Sequence, residues 1–517
     1  MRQYLDMKNK KNQRDGKTIS IWQRPMMQPP FSEDILNSVY DAIIVGGGIT
    51  GLTTAFNLQR AGKKCILVEA KNLGFGTSGG TSAHLNTFFD SSYPEIDSNF
   101  GKEASKAMAT ASKRMIKTIQ ANIDELNIEA DFEYKSGFLF SQNEKETQQL
   151  DEILSSSKAA GVMVEESGDN GVPVRFLKAI EFSNQAQFHP LKYIDGLARG
   201  FLSLGGRILE NTFIEEVKES HGLHYATGGA MEIQGRNLIW ATHIPPGINL
   251  LSLRNAPYRS YVLAVKLNNE TYPDCLSYDM QEPYHYFRSH EIDGQKYLIA
   301  GGEDHKTGHE DSEDAFRALE QYITANFDVL SVDYKWSSQY YVPVDGLPYI
   351  GLLPGAADGT FVATGFNGNG MILGSLAGEI LSDLILGRDN DLSVLLSPSR
   401  LKPLSGLSDF VKENADVAYH FVADRFGSEL LASLKSFPIG EGKIVKFQGE
   451  RLAVHKDAHG KVRALSPVCT HAGCIVNWNR VEQSWECPCH GGRFDIDGSV
   501  ITGPPKTPLK KIEVPHR

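Results

Sequence analysis

Near one end of the chain, Cys469-Thr470-His471 is followed, after 15 residues, by Cys487-Pro488-Cys489-His490. Two thiolates and two imidazoles in a C-x-H … C-x-x-H pattern can ligate zinc or the irons of a cluster. Cys474 lies one turn beyond the first pair, and Cys489 lies inside the second. Gly473, Gly491 and Gly492 keep both loops tight, and Gly503-Pro504-Pro505 supplies a stiff third loop. The chain has 6 cysteines, and the other two, Cys65 and Cys275, stand alone. Such clustering is the mark of a local metal device, not of a disulfide framework for the whole chain.

A second constellation lies near the other end. The apolar run Ala42-Ile43-Ile44-Val45 leads into Gly46-Gly47-Gly48-Ile49-Thr50-Gly51. Leu52, Ala55, Phe56 and Leu58 then recur at helical spacing until Gly62, and a second apolar run from Cys65 to Val68 ends at Glu69. This strand–turn–helix–strand unit predicts a dinucleotide site. Gly46 permits the tight turn, Gly48 lets backbone approach a pyrophosphate, and Gly51 lets helix and strand pack closely. The helix N-terminus offers free N–H groups to phosphate, and Glu69 can accept hydrogen bonds from ribose hydroxyls. The motif alone does not separate FAD from NAD. The loop from Gly74 to His84 adds small residues and hydroxyls, Thr77 and Ser78 among them. Far along the chain, Phe361–Thr364 again reads as a strand, Gly365-Phe366-Asn367-Gly368-Asn369-Gly370 as a glycine-rich turn, and the following residues to Leu386 as an apolar helix.

The elements that position these residues are legible in outline. The chain has 517 residues, enough for three or four domains. Apolar residues make up 41% and charged residues 22%, which excludes a disordered or fibrous chain. Residues 1–37 carry mixed charge and prolines and read as an arm lying on the surface or partly disordered. Apolar positions from Met108 to Leu126 step by three or four and predict a long amphipathic helix. Residues 258–301 alternate as strands of a sheet beside the first domain. Residues 396–433, with Phe410, Val417 and Phe421, read as a helical linker, and from about Leu434 the chain reads as short strands and turns. The formal net charge of −11 argues against a nucleic-acid binder. No apolar run is long enough to span a membrane, and no apolar segment follows the basic N-terminus as in a secretory signal. A cytoplasmic location is expected.

With these motifs in hand, residues 38–395 resemble the glycine/D-amino-acid oxidase family of FAD enzymes. The resemblance rests on the two glycine-rich turns, on Asp345-Gly346-Leu347-Pro348-Tyr349-Ile350-Gly351, and on Phe188-His189-Pro190. It implies an α/β FAD-binding domain, Rossmann-like and glutathione-reductase-like, interleaved with an antiparallel-sheet substrate domain. The FAD segments would be about 38–90, 185–250 and 340–395, and the substrate segments about 91–184 and 251–339. Gly365, Asn367, Gly368 and Gly370 would start a helix aimed at the flavin ring, where a helix N-terminus favours the anionic reduced form. The family often binds a substrate carboxylate with Arg and Tyr, and Arg288 is the best match. Its bland alternative is a salt bridge. His305 is a candidate base, or else a polar turn residue. Some members attach FAD covalently, for which His84 is the one reasonable candidate, but non-covalent FAD is expected here. His189, before a proline, is read as structural.

Residues 434–517 resemble a Rieske 2Fe–2S domain, a small all-β unit. The resemblance implies that Cys469 and Cys487 hold one iron, that His471 and His490 hold the other, and that Cys474 and Cys489 form a disulfide between the loops. Respiratory Rieske proteins carry a Ser and a Tyr whose hydroxyls bond the cluster and its Cys ligand, and Gly492 and Phe494 stand in those places. The combination implies oxidation of a small amine or amino-acid-like metabolite by hydride transfer to FAD, with electrons relayed singly through the cluster to an external acceptor, a protein or a quinone. The reverse flow is equally open. An alternative is an electron-transfer or redox-sensing partner protein with no substrate of its own, using its acidic surface to dock a basic partner.

Overall fold

A computed structural model of the chain describes residues 13–27, 29, 38–400, 429–430 and 437–514. The nucleotide-binding layer is an eight-stranded sheet. Strand β1 (Val39–Val45) leads through the first glycine turn into helix α1 (Ile49–Arg60) and back into β2 (Cys65–Val68). The layer continues with β3 (Arg207–Leu209), β4 (Met231–Trp240), β5 (Tyr349–Leu352) and β6 (Thr360–Thr364), after which the second glycine turn opens helix α2 (Gly370–Leu386), and the strands Leu223–Gly228 and Glu216–Ser220 complete it beside β4. The main order is β5-β6-β4-β1-β2-β3, and every pairing along it is parallel except β5 with β6. The apolar runs of β1 and β2 follow from this placement, because central parallel strands are covered on both faces. Ile43, Ile44, Ile66 and Leu67 are fully buried.

Helices α1 and α2 cross so closely that a Cβ on Gly374 would lie 2.8 Å from Thr50 Oγ1, and one on Gly378 would lie 2.6 Å from Thr53 Cβ. Glycine on α2 is therefore what lets the two helices bring their N-termini to one place.

A nine-stranded, largely antiparallel sheet forms the second layer, in the order Val329–Pro343, Asn255–Leu267, Gln295–Lys306, His285–Ile292, Leu276–Asp279, Glu133–Ser141, Lys178–Gln187, His84–Leu85, with Val164–Ser167 beside Lys178–Gln187. Helix Ser312–Asn326 packs one face through Phe316, Leu319 and Ile323. The long helix expected up to Leu126 spans Lys102–Leu126 and buries Met108, Met115, Ile119 and Ile123.

The C-terminal unit holds two four-stranded sheets. Its first strand, Glu429–Leu430, pairs with Gly442–Phe447 and so begins before residue 434. The helical linker expected at 396–433 lies, over residues 401–428 and 431–436, outside the described residues. Residues 396–400 carry no helix.

The N-terminal arm differs from its expectation. Residues 13–27 do not lie loosely on the surface: Arg14, Asp15, Ser20, Ile21, Trp22 and Gln23 are buried. Trp22 donates from Nε1 to the Thr81 carbonyl and packs its ring edge-on against His189 and His290, each at 5.1 Å. A charged, proline-bearing composition hid one large apolar anchor.

Candidate active site and iron–sulfur centre

The two glycine turns face one cavity of about 270 Å³. Gly46, Gly48, Glu69, Thr77 and Ser78 line it from the first half of the chain, and Asn367, Gly368 and Gly370 line it from the second. Gly46 has φ +115°, and a Cβ there would meet the Ala241 carbonyl oxygen at 2.4 Å. Ser78 Oγ accepts the Ile49 N–H at 3.1 Å, steadying the N-terminus of α1. The Glu69 carboxylate accepts the Gly47 N–H at 2.7 Å and the Lys71 N–H at 2.9 Å. Burial pushes its pKa up against those bonds. Thr77 Oγ1 donates to the Gln339 carbonyl at 2.8 Å and lies 3.3 Å from His243 Nδ1.

Gly51 and Gly365 do not line the cavity; they build its walls. A Cβ on Gly51 would lie 1.9 Å from the Gly46 carbonyl oxygen, and one on Gly365 2.5 Å from Asn255 Oδ1. Gly51→Ala is therefore expected to yield protein without FAD, because the turn must open to admit the methyl group. Loss of the visible flavin absorbance on purification checks this.

Arg288 and His305 are corrections to the sequence reading. Neither lines the cavity. Arg288 is fully buried, donating from Nη1 to the Ser82 and Ala83 carbonyls at 2.8 and 2.9 Å, with Nη2 2.8 Å from His290 Nδ1. Its guanidinium lies over the Trp22 ring at 5.5 Å. It is neither a surface salt bridge nor open to a substrate carboxylate; it braces the flavin-side loop. Burial lowers its pKa to about 9. His305 points to the opposite face of the sheet, with Nε2 2.8 Å from Tyr261 Oη and its ring stacked on that tyrosine. His189 caps helix Pro190–Ser203 by accepting the Lys192 N–H.

The wall facing the late glycine turn was legible beforehand only in part. It is made by His84, Asn86, Asp90, Tyr278, Tyr284, Tyr286, Ser338 and Tyr340. Asp90 Oδ2 accepts the Gly368 N–H at 2.7 Å, and burial raises its carboxyl to about 6 despite that bond. His84 is held neutral, its pKa pushed well below the usual value by burial and then by Arg288. Its Nδ1 pairs with Tyr278 Oη, which also accepts from Asn86 Nδ2 at 2.6 Å.

The C-terminal unit lines the same cavity through Ile501, Thr502, Gly503 and Pro505, as does Asp15 of the arm. Behind this loop, Cys474 and Cys489 are joined in a disulfide. Cys469 and Cys487 are free and buried, and they share a hydrogen bond that draws the Cys469 thiol down while raising its partner's. The His471 and His490 rings meet at 4.9 Å. The His471 ring leans on the Gly247 backbone, while neither ring nitrogen of His490 has a partner, which is costly for buried polar atoms unless something else ligates them. Two thiols poised to share one proton and two facing imidazoles, each able to ligate through one ring nitrogen, fit a 2Fe–2S cluster. Zinc, the other candidate, is not needed to explain them.

The unit is bolted to the flavin half. Tyr341 Oη donates to the His490 carbonyl at 3.1 Å, and Gln339 Nε2 donates to the Gly491 carbonyl at 2.9 Å. A buried ionic network ties Arg259 to Glu486 at 2.8 Å, Arg493 to both Glu486 and Asp15, and Arg14 to Glu482.

Residues 41–384 match the FAD dependent oxidoreductase family. The chain belongs to that family. Residues 429–513 of the oxidoreductase match the Rieske [2Fe-2S] domain, so its cofactors are FAD and a 2Fe–2S cluster. It is similar along nearly its whole length to the Rieske 2Fe-2S iron-sulfur protein YhfW of Bacillus subtilis, with 32% identity over 96% of this chain and 97% of that one. It is 23% identical to the gamma-glutamylputrescine oxidoreductase of Escherichia coli over 69% of this chain and 86% of that one. Its fold is similar to the glycine oxidase of Geobacillus kaustophilus, with a TM-score of 0.58 and 19% identity, covering 70% of this chain and 99% of that one.

The Ser and Tyr hydroxyls of respiratory Rieske proteins are absent from the oxidoreductase. Gly492 packs so that a Cβ would meet Pro505 at 2.8 Å, and Phe494 is fully buried. Fewer hydrogen bonds to sulfur stabilise the reduced cluster less. The cluster is expected to titrate below the upper end of the Rieske range, roughly −150 to +300 mV, and Phe494→Tyr is expected to raise its potential. A spectroscopic redox titration of both proteins checks this.

Proposed function

We propose that the oxidoreductase oxidises a small amine or amino-acid-like metabolite and exports the electrons one at a time through its Rieske domain to an external carrier. FAD, when bound, takes two electrons as hydride from a C–H bond beside nitrogen, and the cluster passes electrons on singly. The substrate loses that hydride and an N–H proton and leaves as an imine. The similarity to an oxidoreductase of gamma-glutamylputrescine, itself an amine, supports the substrate class.

One observation carries this reading: a single cavity is lined by both flavin-binding turns and by the 501–505 loop of the Rieske unit. Gly46, Gly48 and the N-terminus of α1 would hold the pyrophosphate, and Glu69 the ribose. The N-terminus of α2, with Asn367 and Gly368, would lie along the flavin. The Rieske loop and the arm cover the cavity and exclude water from the reacting carbon. Tyr341 provides a packed bridge between the centres: its hydroxyl holds the His490 backbone and its ring lies 4.7 Å from that of His243, which lines the cavity. Burial lowers the His243 pKa to about 4, so the bridge carries no charge at neutral pH.

Among the described residues no helix is long and apolar enough to cross a membrane. The expected acceptor is a one-electron carrier, protein or quinone, met in the cytoplasm. Anaerobic mixing with a panel of amines, amino acids and hydroxy acids tests the reading. Bleaching of the flavin band by an amine or amino acid supports it. Bleaching by none of them, with rapid reduction by a carrier protein, points instead to an electron-transfer protein without a metabolite substrate.

A further inference from the structure

The substrate end of the cavity has a composition that selects among nitrogen compounds. Among the described residues, no Lys or Arg lines the cavity. The one arginine expected there, Arg288, is committed to backbone carbonyls. What faces the late glycine turn is acidic and aromatic. Asp90 and Tyr284 converge on Gly368, where a Cβ would lie 2.4 Å from Asp90 Oδ2 and 3.3 Å from Tyr284 Oη. Tyr284 and Tyr286 pack at 6.0 Å between ring centres, and Tyr286 Oη lies 3.1 Å from Ser260 Oγ. Tyr340 Oη donates to Asp304 Oδ2 at 2.8 Å, placing a second carboxylate directly behind the wall. Tyr278 closes the far side beside His84.

A second, independent observation points to a ligand that donates hydrogen bonds. Asn86 is only 4% exposed and lines the cavity, yet its Oδ1 accepts from nothing, and Ser338 Oγ on the same wall is also buried without a partner. An amide oxygen can only accept, so a ligand N–H is its natural complement. Tyrosine faces attract cations, and the Asp90 carboxylate, open to the cavity it lines, can pair with one through a charge-assisted hydrogen bond. A substrate carboxylate here would be desolvated with no cation to meet it, beside Asp90 and Asp304. Desolvation raises Asp304 to about 7 and Asp90 to about 6, outweighing the hydrogen bonds that each accepts.

We infer that this cavity takes an amine cation that bears no carboxylate next to the nitrogen, held by Asp90 and the Tyr278–Tyr284–Tyr286–Tyr340 cage, and that it discriminates against α-amino acids. The inference rests on the proposed amine oxidation for its relevance to turnover, but it concerns binding and can be tested without turnover.

The experiment titrates the FAD- and cluster-loaded full chain with two ligands that flavin cannot oxidise, the ammonium ion of 2-phenylpropan-2-amine (which carries N–H donors but no C–H beside its nitrogen) and benzoate, following the perturbation of the flavin spectrum. It then measures anaerobic flavin reduction by matched pairs: isopentylamine with leucine, pyrrolidine with proline, tyramine with tyrosine. The expected result is that the ammonium ligand binds and benzoate does not, that each amine outperforms its amino-acid twin by at least about 100-fold in reduction rate over Kd, and that Asp90→Asn weakens ammonium binding at least about tenfold with FAD content unchanged. If Asp90→Asn loses FAD, Tyr284→Leu is read in its place, with the same expectation. Benzoate binding as tightly as the ammonium ion, amino acids matching their amines, or no perturbation by the ammonium ion would each overturn the inference. Ammonium binding with no bleaching by any nitrogen compound upholds the inference and defeats the proposed reaction.

Discussion

Cys487→Ser protein is expected to retain its flavin, to be bleached by substrate at the unaltered rate, and to lose more than about 100-fold of its rate of electron delivery to a one-electron acceptor. Changes to the partners of metal ligands alone cost about 10- to 100-fold, and Cys487 is itself one of four proposed ligands. The flavin end is expected to be spared because its own residues, from Gly46 to Ser78 and from Asn367 to Gly370, lie on elements that do not depend on iron. The Cys474–Cys489 disulfide still ties the two loops together. Flavin content, iron content and the two half-reaction rates, measured separately, check this. A variant that loses both half-reactions together would mean that the cluster shapes the substrate site as well.

The second large effect is expected at the seam between the two halves. Glu482 is fully buried and accepts from Arg14 Nη1 at 3.2 Å, from Thr18, and from the Ser337 N–H and hydroxyl at 3.1 and 2.6 Å. Burial alone would raise its carboxyl, but Arg14, Arg259, Ser337 and Arg493 together hold it well below the usual carboxylate range. Glu482→Ala takes one of two carboxylate partners from the buried Arg14, leaving Asp15 at 3.3 Å, and removing one member of a buried pair costs up to about 3–5 kcal/mol. The variant is expected to unfold at correspondingly lower denaturant, with the Rieske unit loosened first and intramolecular electron transfer slowed.

The sign of the pH dependence follows from the lowered pKa. Glu482 contributes its full stabilisation above its unfolded value of about 4.3, and that contribution is lost as pH falls through the folded value. Stability at the seam is expected to be flat from neutral pH to about pH 5 and to drop in more acidic solution. Denaturation monitored by flavin and cluster signals at several pH values checks it.

The parts of this molecule that were legible in sequence are those whose chemistry is local. The first glycine turn, its flanking strands and helix, and Glu69 lie within about 30 residues, and Gly51 is required by the Gly46 carbonyl five residues before it. The same holds for Cys469 to His490, where two short loops carry all four proposed ligands. Arg288 shows where such reading runs out. On strand His285–Ile292 it points to the same face as Tyr286, but one residue pair further along. That step of about 7 Å takes it out of the cavity and under Trp22. His305 fails for the complementary reason, since it lies on the other face, against Tyr261. The register of a nine-stranded sheet decides both, and no spacing in one strand encodes it. The tyrosine wall as a whole was hidden likewise, because Tyr278 and Tyr340 join the neighbouring Tyr284 and Tyr286 from other strands. The seam had no signal at all: Arg14 and Glu482 are 468 residues apart, and the arm that carries Arg14, Asp15 and Trp22 has the composition of a solvated tail.

The central claim is that one polypeptide passes electrons between a flavin and a Rieske cluster whose domain lines the flavin cavity with its 501–505 loop. Anaerobic rapid mixing of the fully loaded protein with a reducing amine, followed at once by flavin absorbance and by the electron paramagnetic resonance of the reduced cluster, tests it most directly. The account predicts that the cluster signal grows as the flavin gives up its electrons, with a rate constant that does not change when the protein is diluted. A cluster that stays oxidised while the flavin is reduced, or one whose reduction slows in proportion to dilution, would contradict it.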